Sequence, residues 1–257
     1  MQTFLKWVRI LFWAFLIACP VALLVTSAII NYNTMPSWAE ITEENNIAWA
    51  NVEPGVAAVT KSRSSAVLIR STALGLWGTA TSSMTGTYFV ANGRHYVLTV
   101  HHGVNGPCWL ITIIHNGHEY ECKEYIIKDE ENDYVILETK EPIDNRTPIR
   151  IPEDLPYRSQ WKPAYSLLNK IIYTGYPNTL GPLTLRGDVV GYGNEYLYVF
   201  SHAYGGASGS GVFTKDGKYI GYIVAIDVGS TDFGVDILEN VVIVAPAFNV
   251  DWSAVLD

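Results

Sequence analysis

The chain opens on an uninterrupted apolar block: from Ile10 to Ile30, 21 residues, no side chain carries a charge. A helix of about 20 apolar residues is long enough to cross the hydrocarbon of a bilayer. Lys6 and Arg9 precede the block, while Glu40, Glu43 and Glu44 follow it. By the positive-inside tendency, residues 1–9 stay cytoplasmic and everything after Ile30 lies on the far side of the membrane. Three readings compete for residues 10–30, and each exports the rest. The preferred one is an uncleaved transmembrane signal anchor; the others are a signal peptide cut near Thr26-Ser27-Ala28 and a lipoprotein signal ending at Cys19. Pro20 and the continuing apolar run Val21 to Val25 fit the lipoprotein reading poorly. Residues 31–55 are polar and acidic with no sustained period, the texture of a stalk.

From Val56 onward the pattern becomes short apolar or alternating runs divided by turn dipeptides. Asn92-Gly93, Asn116-Gly117 and Asp216-Gly217 each sit between β-rich runs. Two-residue hairpin turns demand such pairs because their central positions need positive φ. Three hairpins are predicted: Thr87–Ala91 with Arg94–Thr99, Cys108–His115 with His118–Tyr125, and Gly211–Lys215 with Lys218–Val224. Residues 141–165 carry Pro142, Pro148, Pro152, Pro156 and Pro163, too many for a ladder interior, and read as a crossing between two β-rich halves. Lys170–Tyr176, Leu183–Gly191, Glu195–Ser201 and Asn240–Ala245 add strands, and Asn249 is placed to cap a short closing helix through Leu256. The simplest architecture is all-β: two barrels side by side, about 56–140 and about 166–257, with a terminal helix.

Composition narrows the possibilities. The 257 residues are 49% hydrophobic, ample for a packed core. A formal charge of −8 without a Lys/Arg cluster excludes a nucleic-acid partner, since neutralising phosphates needs a basic surface. Cysteines are few, with Cys19 in the apolar block and Cys108 and Cys122 beyond it, and neither number nor spacing suggests a metal site; no cofactor is implied. Two cysteines in an exported domain ordinarily invite a bridge. A two-residue turn at Asn116-Gly117, however, sets Cys108 opposite Tyr125 and Cys122 opposite Ile111. The thiols then fall on opposite sheet faces, and a bridge requires a β-bulge to shift the register.

Three segments carry chemistry. Leu98-Thr99-Val100-His101-His102-Gly103 offers an imidazole base, Asp133-Tyr134-Val135-Ile136-Leu137 a carboxylate followed by an apolar strand, and Gly206-Ala207-Ser208-Gly209-Ser210-Gly211 a serine among glycines. A serine hydroxyl is a poor nucleophile until an imidazole takes its proton, and the imidazole needs a carboxylate to fix its tautomer and stabilise its charged form. Alone, Ser208 reads as part of a flexible loop and Asp133 as a solvated strand start beside Asp129, Glu130 and Glu131. Together they make a constellation. His95, His115 and His118 lie beside turns and read as surface or hydrogen-bonded core residues.

These segments resemble the trypsin/chymotrypsin-like serine peptidases, a likeness that runs from about Val56 to the end. That family closes a strand on Leu-Thr-x-x-His, opens another on Asp followed by apolar residues and Leu, and sets its nucleophile in Gly-x-Ser-Gly-x. The order His102, Asp133, Ser208, with separations of 31 and 75, is the chymotrypsin order; α/β-hydrolases run serine, acid, histidine. Position in the pattern favours His102 over His101 as the base. The resemblance implies two packed six-stranded antiparallel barrels with a short C-terminal helix, and an oxyanion hole formed by the amides of Gly206 and Ser208. Glycines suit that task because the chain must turn tightly with no side chain in the way.

Departures from the family are informative. Digestive members place an Asp just before the nucleophile, to pair with an amino terminus made by activation cleavage; here Ala207 stands there and no matching start follows the stalk. Their cysteine bridges and any added binding module are also missing. The nearer likeness is to compact bacterial and viral members, including the bacterial heat-shock type, whose final strand and proline are echoed by Val241 to Pro246. By the same resemblance His202, six residues before Ser208, lies at the pocket base, and Ile223, Val224 and Ala225 wall it. No Asp stands at the base, so Lys/Arg preference is disfavoured. A small or medium apolar side chain before the scissile bond is expected, with a polar or acidic one as the alternative if His202 accepts it.

The expectation is therefore a membrane-anchored serine endopeptidase facing the extracytoplasmic side and cutting proteins or polyproteins. The rival is a catalytically silent peptidase fold used as a tethered interaction module, and a weaker third is an esterase on the same triad. Asn145-Arg146-Thr147 is a glycosylation sequon relevant to a eukaryotic secretory route.

Overall fold

The computed structural model describes residues 2–33, 56–75, 78–143, 148–157, 159–193, 195–231 and 234–256. The expected stalk beyond residue 33 and the Asn145-Arg146-Thr147 sequon lie outside the described residues. Residues Met1–Trp49 and Ala50–Asp257 form separate compact units.

The first unit contains α1 (Gln2–Asn33), a helix of 32 residues. It outruns the 10–30 block at both ends, because Phe4, Leu5 and Trp7 extend the apolar composition and nothing after Ile30 breaks it at once. Pro20 lies inside without ending the helix. The window Lys6–Leu23 is long and apolar enough for a membrane span or a signal sequence. Along it Trp7, Phe12, Trp13 and Phe15 are exposed.

The second unit begins with α2 (Val56–Ser65) and then folds into β-strands. Strands β1 (Ala66–Gly75), β2 (Gly78–Ala91), β3 (Arg94–Thr99), β4 (Ile111–His115), β5 (His118–Asp129) and β6 (Tyr134–Thr139) pair in the order β1-β4-β5-β6-β3-β2, and β2 returns to β1 to close the ring. A two-residue strand, β7 (Ile149–Arg150), adds a parallel bridge to β2, all that the proline-rich crossing contributes to the ladders among the described residues. After the short helix α3 (Trp161–Ala164), β8 (Lys170–Gly175), β9 (Leu183–Gly193), β10 (Tyr196–Phe200), β11 (Gly211–Thr214), β12 (Tyr219–Thr231) and β13 (Gly234–Pro246) close a second ring in the order β10-β13-β12-β11-β8-β9. The chain ends in α4 (Ser253–Leu256). The fold is two closed six-stranded antiparallel barrels with a short C-terminal helix.

Alternation builds the interiors. On β10 Leu197 and Val199 point in while Tyr196 and Tyr198 are half-buried and Phe200 is exposed; they meet Val242 and Val244 of β13 and Ile171 and Tyr173 of β8. Each fully buried aliphatic side chain stabilises by about 1.5–3 kcal/mol relative to exposure. A second cluster joins first-barrel residues such as Val97, Leu98, Val135 and Leu137 to Phe213, Tyr219 and Tyr222 of the second barrel, so the interface between the barrels is itself apolar core.

The turns show where local chemistry decides. Asn92 and Gly93 have φ of 48° and 74°, Asn116 and Gly117 50° and 79°, and both hairpins take the predicted two-residue form. Asp216-Gly217 does not. Only Gly217 is left-handed, Gly217 N–H donates to Thr214 C=O, and the loop takes three residues with a bulge between Val212 and Phe213. A type I turn followed by a left-handed glycine produces this geometry. At the other end, helix α4 starts at Ser253 rather than after Asn249, because Asp251 supplies the carboxylate that accepts from Ser253 N–H at 3.1 Å.

The cysteine expectation is corrected. Cys108 and Cys122 are disulfide-bonded, with Cα atoms 5.4 Å apart. The ladder register is the one expected, Thr112 opposite Glu121. Cys108 simply lies outside it, in a 3₁₀ turn over Cys108–Leu110 that starts after Pro107, and the facing rule of a strand does not govern its thiol.

Candidate active site

The histidine segment leaves β3 and turns sharply, with Val104 N–H donating to His101 C=O at 2.9 Å. Gly103 packs closely there, since a Cβ would come within 2.5 Å of the Met84 sulfur and that side chain would have to shift. His101 contributes its backbone, its N–H reaching Asp133 C=O at 3.2 Å. His102 meets the carboxylate twice. Its Nδ1 lies 2.7 Å from Asp133 Oδ2 and its backbone N–H donates to Oδ1 at 2.8 Å. A carboxylate only accepts, so the proton sits on Nδ1 and Nε2 carries the free lone pair of the neutral ring. The hydrogen bond to Asp133 raises the His102 pKa above its ordinary value against the opposing effect of burial.

Asp133 stands in the left-handed region, with φ 53°. Its loop is shaped by Asp129, whose two oxygens accept from the backbone and side-chain nitrogens of Asn132, both at 2.9 Å. From the second barrel, Tyr222 OH donates to Asn132 C=O at 2.7 Å.

Ser208 is half-buried on the loop before β11. The loop is fixed on both sides of it. Gly209 N–H donates to Ile223 C=O at 2.7 Å, and Ser208 C=O accepts from Thr85 N–H of the first barrel at 3.0 Å. Gly209 has φ 88°, and a Cβ there would lie 2.0 Å from Thr85 O, so glycine is obligatory. Ser210, the other serine of the motif, is wholly buried with its hydroxyl donating to Ala207 C=O at 2.6 Å, which removes it from contention as a nucleophile. The structure brings His102 and Asp133 together. The Ser208 hydroxyl is not joined to the ring by a hydrogen bond among the described residues; in unliganded enzymes such bonds are often long and tighten on substrate.

The two amides expected to hold an oxyanion can be followed through their peptide planes. In a trans peptide the carbonyl and the N–H point opposite ways. Asn178 N–H holds Gly205 C=O at 2.7 Å, which turns Gly206 N–H away from Asn178; Ser210 N–H holds Ala207 C=O at 3.0 Å, which turns Ser208 N–H away from Ser210. Neither Gly206 N–H nor Ser208 N–H has an internal acceptor among the described residues. Gly206 has φ 96°, and a Cβ there would approach Tyr176 O to 2.8 Å. Ala207 is buried in the second-barrel core beside Ala203 and Val212, so an apolar contact occupies the place where digestive members carry a charge.

The expected pocket residues separate. His202 is exposed, and its backbone carbonyl accepts from the buried Tyr173 hydroxyl. Ile223 points into the second-barrel core, while Val224 is half-buried against the cluster between the barrels and Ala225 is half-buried at a bulge of β12. Thr85, Asn178 and Tyr222 have no place in the motif reading. The local signal for Thr85 is the alternation Thr85-Gly86-Thr87, which sends two hydroxyls to one face of β2.

A model of the trypsin-like peptidase domain matches residues 84–221, more than half of the chain. The chain belongs to the trypsin-like peptidase family. Comparison with curated protein sequences finds no match. Among solved structures, this trypsin-like peptidase is similar in fold to a serine endoprotease from Yersinia pestis, at 18% identity and TM-score 0.58 over 80% of this chain and 68% of that one. It is also similar to an HtrA-type protease, AlgW, solved with a tripeptide, at 17% identity and TM-score 0.56 over 77% of this chain and 61% of that one.

Proposed function

We propose that this trypsin-like peptidase is a serine endopeptidase anchored in a membrane by residues 10–30, with its barrels on the extracytoplasmic side. The observation that carries the reading is the double contact of His102 with Asp133, which orients the imidazole with its Nδ1 proton on the carboxylate and leaves Nε2 to accept a proton when the ring is neutral. In the proposed cycle Ser208 Oγ attacks the scissile carbonyl carbon and gives its proton to His102 Nε2. The Gly206 and Ser208 amides bind the oxyanion, and the intermediate collapses as His102 returns the proton to the leaving amine. Water then repeats the sequence on the acyl ester and frees Ser208. The division into a cytoplasmic 1–9, an anchor, a stalk over 31–55 and a peptidase domain from 56 belongs to the same proposal, and the Cys108–Cys122 disulfide supports it because such bonds persist in oxidising compartments. The substrates are proteins or polyproteins, with a small or medium apolar residue preceding the cleaved bond above His202 and beside Val224 and Ala225.

A fluorophosphonate probe tests the reading, since only an activated serine beside a formed oxyanion site reacts quickly. The native chain is expected to label and to cleave a peptide library, and Ser208→Ala to lose both by orders of magnitude while melting normally. A native chain that folds but neither labels nor cleaves is the silent scaffold, and the proposal ends there.

A further inference from the structure

We propose that Thr85, on the first barrel, is a positioning residue that fixes the loop carrying the Gly206 and Ser208 amides, its side-chain hydroxyl holding the peptide between them through Gly206 C=O. The inference rests on the serine-peptidase reading and deepens it. Thr85 is fully buried, and its polar groups together reach the nucleophile loop, the Tyr176 turn and the histidine strand. Its N–H donates to Ser208 C=O at 3.0 Å. Its C=O accepts from Thr99 Oγ1, on the histidine strand, at 2.8 Å. Its hydroxyl accepts from Tyr176 N–H at 2.9 Å and donates its single proton to Gly206 C=O at 2.7 Å.

The last pair matters most. Tyr176 begins the turn whose Asn178 N–H holds Gly205 C=O. The Thr85 hydroxyl therefore ties that turn to the carbonyl immediately following Gly206, so the glycine is gripped on both sides, by Asn178 through Gly205 C=O and by Thr85 through its own. Glycine at φ 96° is otherwise the freest residue in the loop, and a rotation there would swing the Gly206 N–H out of line. Packing leaves no slack for another arrangement. A Cβ on Gly175 would lie 2.3 Å from Ser210 Oγ and 3.1 Å from Thr85 Oγ1, so the strand end, the nucleophile loop and Thr85 are in direct apposition.

The hydroxyl is tested by replacing it without changing shape. Thr85→Val keeps the volume and removes both hydrogen bonds, whereas Thr85→Ser keeps both and removes a methyl. In the full-length chain, Thr85→Val is expected to lower kcat about tenfold to a hundredfold, short of deleting an oxyanion donor outright. Its KM should change less than about threefold, as expected when an interaction made only in the transition state is weakened. A peptide boronic acid, which places an anionic oxygen in the oxyanion site, should lose affinity in parallel, while a non-covalent product peptide binds as before. Thr85→Ser should recover most of the native kcat. If Thr85→Val proves too unstable to assay, Thr85→Cys against Thr85→Ser makes the same comparison, since a thiol of similar size is a much weaker hydrogen-bonding group. Native kcat in Thr85→Val or Thr85→Cys, or equal losses in Thr85→Ser, overturns the assignment to the hydroxyl. A native chain that neither labels nor cleaves instead brings down the peptidase reading, and this inference with it.

Discussion

Asp133 combines a left-handed backbone with a carboxylate whose two oxygens both serve His102. Among non-glycine residues, aspartate is one of the few that tolerates this region, because its short side chain bonds locally. The pairing has opposite consequences for stability and for catalysis. Because the His102 pKa is raised in the folded state by Asp133, the pair stabilises most below about pH 6.5, where the ring is charged in folded and unfolded chains alike. That contribution disappears as pH rises through the raised value, and the neutral ring formed there is the one able to accept a proton. The acidic limb of kcat/KM is therefore expected above about pH 6.5. Asp133→Asn should shift that limb downward and cut turnover by roughly 10⁴, read from pH–rate profiles of both proteins. A limb at or below the ordinary imidazole value would contradict the pairing. His102, Asp133 and Ser208 can be proposed from the sequence because each sits at the edge of a short, recognisable run, and the structure pairs the first two. Thr85 and Tyr222 cannot, since their hydrogen bonds cross from one barrel to the other and only the Thr85-Gly86-Thr87 alternation marks either of them locally.

At the level of strands and turns, agreement followed how local the cause was. Asn92-Gly93 and Asn116-Gly117 need only their own φ angles, and both hairpins were readable. Asp216-Gly217 carries a similar turn signal, yet only Gly217 takes a positive φ and the hairpin forms a three-residue loop with a bulge. Helix α2 and strand β1 went unread: the first has too few apolar residues to show a helical period, and the second begins Ala66-Val67-Leu68-Ile69, buried throughout and without alternation. The sequence left the disulfide undecided because strand register argues against it, and a 3₁₀ turn that replaces the first residues of the expected strand removes that objection. It closes a loop with a sequence separation of 14 beside the first barrel. Replacing both Cys108 and Cys122 by Ser should cost about 3 kcal/mol in urea unfolding, the loop-closure value for such a span, with labelling of Ser208 retained under conditions where the variant is folded. An unchanged midpoint would mean the unfolded chain gains little freedom there.

For the molecule as a whole, the two units have different solvents in prospect. Full-length protein is expected to stay with the membrane pellet through an alkaline wash, and a chain starting at Ala50 to appear in the supernatant with cooperative melting. Release of the full chain by the wash would leave α1 as a removable leader. In the proposed cycle the barrels divide the chemistry between them: ring and carboxylate on the first, hydroxyl and the Gly206 and Ser208 amides on the second, with the backbone and hydroxyl of Thr85 and the Tyr222 hydroxyl bonding across the seam. Each barrel closes its own ladder, so strand pairing within a barrel does not run through the apolar side chains that the two share at the seam. Softening by mild heat or low denaturant would open that seam before either cylinder melts, and the loss of turnover would be its first symptom. Turnover is then a finer gauge of how tightly the halves are clasped than any spectrum that counts strands.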